Sequence, residues 1–293
     1  MSYQEGIRFC HITPTPFLER FVPKYRTQLL LAHLIEEDER YTNFYRKYNG
    51  IKIMDNSAFE MYKQKKPMYD PHKLIGMATK VNADYIIMSD YPDEEPSTTI
   101  KAAELQAPIF HKENFGTFFC PQAKIGDLEG LISAFAWAAN SSLVDYIGFS
   151  ILNIPNAYGV EQNNKLQRYL SRLKFIMELD KRGVLDQIVN NGKKIHFLGM
   201  VDGPNEIELM AYNGYSECID TWDSSAAVWY GLNGIKFDSS PTGAVNGKFE
   251  KEVDFTCTKG DIKSVEFNLD YIDKLCGGES AKEHRIDDQH QQH

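Results

Sequence analysis

The chain has 293 residues, of which 42% are hydrophobic, and a formal net charge of -9. That length and apolar content suit one large α/β core or two ordinary ones, and the acidic balance argues against nonspecific coating of nucleic acid, which depends on Lys and Arg displacing counterions. No apolar run approaches the roughly 18 residues of a membrane span, the start does not read as a secretory signal, and Cys10, Cys120, Cys218, Cys257 and Cys276 form no C-x-x-C pair, so the chain reads as a cytoplasmic protein with reduced thiols and no metal site.

In chain order, "QLLLAHLI" and "GIKIMD" read as strands on either side of the polar, aromatic "EEDERYTNFYRKY". "HKLIGMATKVN" has helical spacing and leads to the short strand "ADYIIMSD". "TTIKAAELQ" and the "APIFH" region precede the strand "GTFFCPQAK". "DLEGLISAFAWAANSS" is an amphipathic helix before "VDYIGFSI". The long helical "NKLQRYLSRLKFIMELDKRGVLDQIVNNG" precedes "KKIHFLGM", and the helix "PNEIELMAYNG" precedes "SECIDTW". Repeated strand-then-helix order implies parallel strands covered by helices. No G-x-G-x-x-G or G-x-x-x-x-G-K-[ST] motif marks an open nucleotide-binding sheet. The expected fold is therefore α/β, a (β/α)8 TIM barrel with irregular insertions, as one domain over residues 1–276. The remaining stretch, 277–293, reads as a polar, disordered tail.

In such a barrel chemistry sits where strands end. Three carboxylates read as strand-ending: Asp55 after "IKIM", Asp90 after "YIIMS" and Asp220 after "SECI". A single Asp there is as easily a helix cap, but crowded carboxylates cost free energy unless each has a task or a partner. Gln122 after "FFCP", Gly148 in "YIGFS" and Gly199 in "HFLGM" complete a mouth suited to a polar planar ligand, since Gln pairs with a base edge and Gly admits close backbone approach. Lys63, Lys65 and Lys66 in "YKQKK" follow the Asp55 turn and offer a local basic surface.

These residues resemble a family. "IMDNSAFE", "IIMSDYPDE", "FFCPQAK", "YIGFS" and "HFLGMVDGPNEIELMAYNGYSECIDTW" occur in the order and near the spacing of the tRNA-guanine transglycosylase superfamily. Its barrel carries a D-S-G-G-F/Y turn, a second strand-end Asp, a V-Q-G segment, a glycine-bearing strand and an M-G-x-G-x-P-x-D…D-x-F-D stretch. The resemblance implies Asp55 as general acid/base, Asp220 as nucleophile with Asp223 as its rival, Asp90 reading the guanine edge, and Gln122 and Gly148 in the base pocket. Ser57, Phe59 and Gly199 join the substrate-binding set. Ser57 and Ala58 replace the family's glycine pair, "PQAK" replaces "VQGG", and the C-x-C-x-x-C…H zinc motif of tRNA-acting enzymes is missing. What remains looks like the zinc-free, phage-associated DpdA-type DNA-guanine transglycosylases.

That resemblance implies a pentosyltransferase that exchanges guanine in DNA for a 7-deazaguanine such as 7-cyano-7-deazaguanine, a change that hinders restriction enzymes. It would act in the cytoplasm, the host's if phage-encoded, without metal or other cofactor. The target base would be flipped out or single-stranded, with Lys63, Lys65 and Lys66 along the DNA backbone. Loss of the zinc region, which serves dimer contacts in the family, implies a monomer. The alternatives are the same exchange on tRNA, a catalytically inactive nucleic-acid-binding paralogue, and an unrelated barrel hydrolase.

Overall fold

The computed structural model describes residues 6–201, 203–240 and 251–277. The expected tail beyond Gly277 lies outside them. Eight parallel strands follow one another in chain order: β1 (Arg8–His11), β2 (Thr27–Leu31), β3 (Ile51–Asp55), β4 (Tyr85–Ile87), β5 (Gly116–Phe119), β6 (Tyr146–Ser150), β7 (Lys194–Leu198) and β8 (Thr221–Ser224). Their sheet order is β1-β8-β7-β6-β5-β4-β3-β2, with helices between successive strands, which is the (β/α)8 TIM barrel. By internal contacts the chain divides into two compact units, Arg26–Leu198 and Met1–Tyr25 with Gly199–His293. Among the described residues no helix is long and apolar enough to cross a membrane.

One backbone hydrogen bond recurs at the N-terminal ends of the strands. The residue just before each even-numbered strand offers its carbonyl to the first N–H of an odd-numbered one: Arg26 to Ile51 (2.8 Å), Asp84 to Gly116 (2.8 Å), Asp145 to Lys194 (3.0 Å) and Asp220 to Arg8 (3.0 Å). Side chains reinforce two of these. Asp84 Oδ2 accepts the Lys52 N–H and Asp145 Oδ2 the Thr117 N–H, each at 2.8 Å. An acid before an even strand therefore pins register where the strands begin, and in a barrel that face serves stability.

In the Arg26–Leu198 unit, the pleat sends alternate side chains to opposite faces. On one face Phe118 stacks on Tyr146 with centroids 5.3 Å apart, and His196 meets Phe118 edge-on at 5.4 Å. On the other, Phe149 stacks on Phe197 at 4.9 Å and receives Phe135 from the helix Leu128–Asn140 at 4.8 Å. Burial of each such ring contributes about 2–3 kcal/mol.

In the other unit, β1 was not legible as a strand, because "RFCH" is short and begins and ends on polar residues. Its last residue, His11, is 1% exposed, lies between the rings of Phe9 (4.6 Å) and Tyr25 (4.7 Å), and has no partner for either ring nitrogen. Burial, and secondarily the charge of Lys24, lower its pKa from 6.5 to about 3. The native state therefore declines a proton that the unfolded chain accepts. Stability is unaffected above the unfolded pKa and falls as pH drops from about 6.5 to about 3, by up to about 5 kcal/mol. His11→Phe is expected to flatten that acid limb in urea unfolding measured between pH 7 and pH 4; an unchanged slope would contradict the assignment.

Candidate active site

Asp55 is the last residue of β3, and the chain turns at once. Asp55 Oδ1 accepts the Ser57 N–H at 2.9 Å, and Asn56 Oδ1 accepts the Ala58 N–H at 2.8 Å. These bonds bend the backbone into the helix Ala58–Lys63. Ser57 sits in the left-handed region at φ 58, ψ 30, which a side-chain-bearing residue enters at a cost of about 1–2 kcal/mol. Ser57 offsets the cost through its hydroxyl, which accepts the His33 N–H at 3.2 Å and lies 2.9 Å from His33 Nδ1.

Asn56 is fully buried and links this turn to the next strand. Its Nδ2 donates to the Met88 carbonyl (2.7 Å) and to Asp90 Oδ1 (2.8 Å). The other carboxylate oxygen of Asp90 accepts from Gln122 Nε2 at 2.7 Å. Gln122 Oε1 in turn accepts from Asn153 Nδ2 at 3.1 Å, and the same amide nitrogen donates to the Pro121 carbonyl. Asn153 Oδ1 is buried without a partner. The chain Asn56–Asp90–Gln122–Asn153 thus joins the C-terminal ends of β3, β4, β5 and β6.

Its polarity follows from the carboxylate. An ionised Asp accepts only, so Gln122 must turn its NH2 to Asp90 and its oxygen to Asn153. Burial raises the pKa of Asp90, with the bonds from Asn56 and Gln122 opposing that shift. Asp90 also accepts from its own backbone N–H and from the Cys120 thiol, so a ligand rich in N–H would take the place of the weak thiol donor. Cys120, also buried, has its thiol pKa pushed up by burial, then by the charges of Asp90 and Asp55 and by its hydrogen bond to Asp90; it stays a neutral, weak donor to the carboxylate.

The remaining expected site residues fall differently. Gly148 lies inside β6, where an added Cβ would approach Phe118 Cε1 to 2.7 Å and Leu198 Cδ1 to 2.9 Å. Close packing of those side chains accounts for that glycine. Gly199 has φ 76 and its carbonyl accepts from Trp222 Nε1 at 2.9 Å. Phe59 is 49% exposed on the helix Ala58–Lys63, with Lys63 Nζ 5.3 Å from its ring centre. Lys63, Lys65 and Lys66 are exposed at the end of that helix.

Asp220 requires a correction. Sequence reading placed it at the end of a strand; the structure places it before β8, in the same position as Asp84 and Asp145, with its carbonyl on the Arg8 N–H. The segment "SEC" that looked like strand is a short 3-10 turn, Ser216–Cys218. Asp223 is the strand carboxylate. It is buried in β8, opposite Cys10 of β1 in register, and its charge adds to burial in pushing the Cys10 thiol up.

Asn56, Asn153 and Cys120 were missed as site residues. Asn56 stood in the quoted turn, and its neighbour Asp55 drew the attention; Asn153 carries no local sequence signal. Among the described residues no group of three or more His, Cys, Asp or Glu side chains is placed to hold a metal ion.

No protein-family profile matches the chain, and no curated protein matches it. Solved structures do. The chain is similar to the citrate synthase SbnG (13% identity, 75% of this chain and 86% of that one, TM-score 0.46). It is also similar to an HpcH/HpaI aldolase/citrate lyase family protein from Burkholderia cenocepacia (9%, 76% and 90%, TM-score 0.47) and to a mandelate racemase/muconate lactonizing enzyme from Roseiflexus sp. (9%, 74% and 54%, TM-score 0.45). At such identities and TM-scores the likeness carries no chemistry.

Proposed function

We propose that this chain is a guanine transglycosylase that replaces guanine in DNA with a 7-deazaguanine. The observation that carries the reading is the buried chain Asn56–Asp90–Gln122–Asn153, which holds a carboxylate at the ends of four strands with the weakly donating Cys120 thiol on it. Guanine and 7-deazaguanines share an edge with N1–H and N2–H2 donors, and an ionised Asp90 is a complementary acceptor for it. Adenine lacks that pair of donors. The quoted motif order supports the same reading.

In the proposed reaction Asp223 takes the role first given to Asp220. A carboxylate oxygen of Asp223 bonds to the sugar carbon as the bond from that carbon to guanine breaks, and Asp55 supplies the proton that the departing base needs. The incoming deazaguanine then attacks the same carbon, the bond to Asp223 breaks, and Asp55 recovers the proton. Two inversions give retention, the logic of retaining glycosidases. Because one glycosidic bond replaces another, neither ATP nor metal enters the balance. Lys63, Lys65 and Lys66 are the cationic groups proposed for the DNA backbone.

The test is exchange of labelled guanine. The reading expects label to enter single-stranded or duplex DNA in the presence of the protein alone. Label entering tRNA only would retain the chemistry and overturn the substrate, and release of guanine without incorporation would point to a hydrolase.

A further inference from the structure

The long helix Lys165–Lys181 buries Arg168, Arg172, Phe175, Ile176 and Leu179, which recur at the spacing of one apolar stripe. The first two positions of that stripe are arginines. Arg172 is fully buried: its Nη1 donates to the carbonyls of Phe149 (2.9 Å) and Leu198 (3.0 Å), and its guanidinium lies 4.8 Å from the centre of the Phe197 ring. It is thereby held against the C-terminal ends of β6 and β7.

Arg168 is one helical turn nearer the helix N-terminus, about 6 Å along the axis. It is 8% exposed, and its Nη1 is buried without a hydrogen-bond partner. Burial alone lowers its pKa, with no neighbouring acid offsetting the shift. A covered guanidinium nitrogen with no acceptor is costly, and a second cation at i+4 adds to the cost. Such an arrangement persists where an anion from outside the chain completes it. The helix start adds its own positive end, capped by Asn164 through the Gln167 N–H.

We propose that Arg168, one turn from Arg172 in the first turns of the helix Lys165–Lys181, forms an oxyanion site, and that its ligand is a phosphodiester group of a nucleic-acid strand. The planar guanidinium fork matches two phosphate oxygens at once. Arg168 is no member of the Asp90 chain, and only the choice of a nucleic acid as the phosphate source rests on the base-exchange reading.

The experiment compares the wild type with Arg168→Met, which keeps length and removes charge. Binding of a labelled single-stranded oligodeoxynucleotide is followed by anisotropy over a range of salt, and Tm is followed with and without inorganic phosphate. For Arg168→Met the proposal expects a Tm in phosphate-free buffer at or above that of the wild type. It expects oligonucleotide affinity to fall about tenfold, with the salt slope shallower by about 0.7, the increment for one phosphate on a single strand. Loss of the phosphate-dependent rise in Tm with unchanged oligonucleotide binding would assign the site to a free phosphate and overturn the phosphodiester. A lowered Tm with both ligand responses intact would make Arg168 structural and overturn the site altogether. All these readouts are independent of base exchange, so a protein inactive in exchange still decides the question.

Discussion

Asp223→Asn is expected to abolish base exchange, by about 10⁴-fold or more, while Asp220→Asn keeps its rate within about twofold of the wild type. Replacing a nucleophilic carboxylate by an amide removes the covalent route itself, and four decades correspond to about 5.4 kcal/mol of transition-state stabilisation. Asp220 has a different task. It precedes β8 as Asp84 precedes β4 and Asp145 precedes β6, where such acids pin register. Its bond to Arg8 is made by the main-chain carbonyl, which the substitution leaves in place, so the urea midpoint should stay near that of the wild type. Trapping of a protein–DNA adduct separates the two, since only Asp223→Asn should lose it. The opposite pattern would restore Asp220 as nucleophile.

Asp90→Ala is expected to lower kcat/KM for exchange by about 10³-fold and stability by about 2–4 kcal/mol. The two penalties have separate origins. Stability falls because Gln122 Nε2 would lose its carboxylate partner at 2.7 Å and keep only the distant Cys120 sulfur at 3.9 Å. Activity falls because the guanine edge loses its acceptor and because Gln122, no longer oriented, is free to turn its amide. The pKa of Asp90 is raised by burial, so the native state binds a proton more readily than the unfolded chain. Protonation therefore favours the fold as pH falls through the raised native pKa, yet it removes the acceptor. In the wild type, the acid limb of base affinity should accordingly lie above the ordinary carboxylate range; an acid limb at the ordinary value would contradict the assignment of Asp90 to base reading.

The barrel was legible because strands buried on both faces, such as "KIHFL" and "YIGFS", read as apolar runs between helices of obvious periodicity. Short or ambiguous elements were not. In "QLLLAHLI" the strand ends at Leu31 and a helix starts at Ala32, a break that leucine-rich sequence does not mark. The helix Ile262–Leu275, started by Asp261 on the Ser264 N–H, was passed over entirely. Asp55 and Asp90 were placed at strand ends correctly, Asp55 as the last residue of β3 and Asp90 just after β4. Asp220 was misplaced by the same rule, although "DYII" and "DYIG" already show an acid preceding a strand. Gln122 was singled out, but Asn56 and Asn153 escaped because they join Asp90 and Gln122 through hydrogen bonds across separate turns, a relation that no local spacing encodes.

The central claim is tested most directly by incubating the purified protein with duplex DNA, and separately with tRNA, plus 7-cyano-7-deazaguanine, followed by digestion to nucleosides and mass spectrometry. The account predicts the deazaguanine as a deoxynucleoside from wild-type reactions and its absence with Asp223→Asn. A deazaguanine nucleoside absent from both nucleic acids, or a deoxynucleoside that persists with Asp223→Asn, would contradict it.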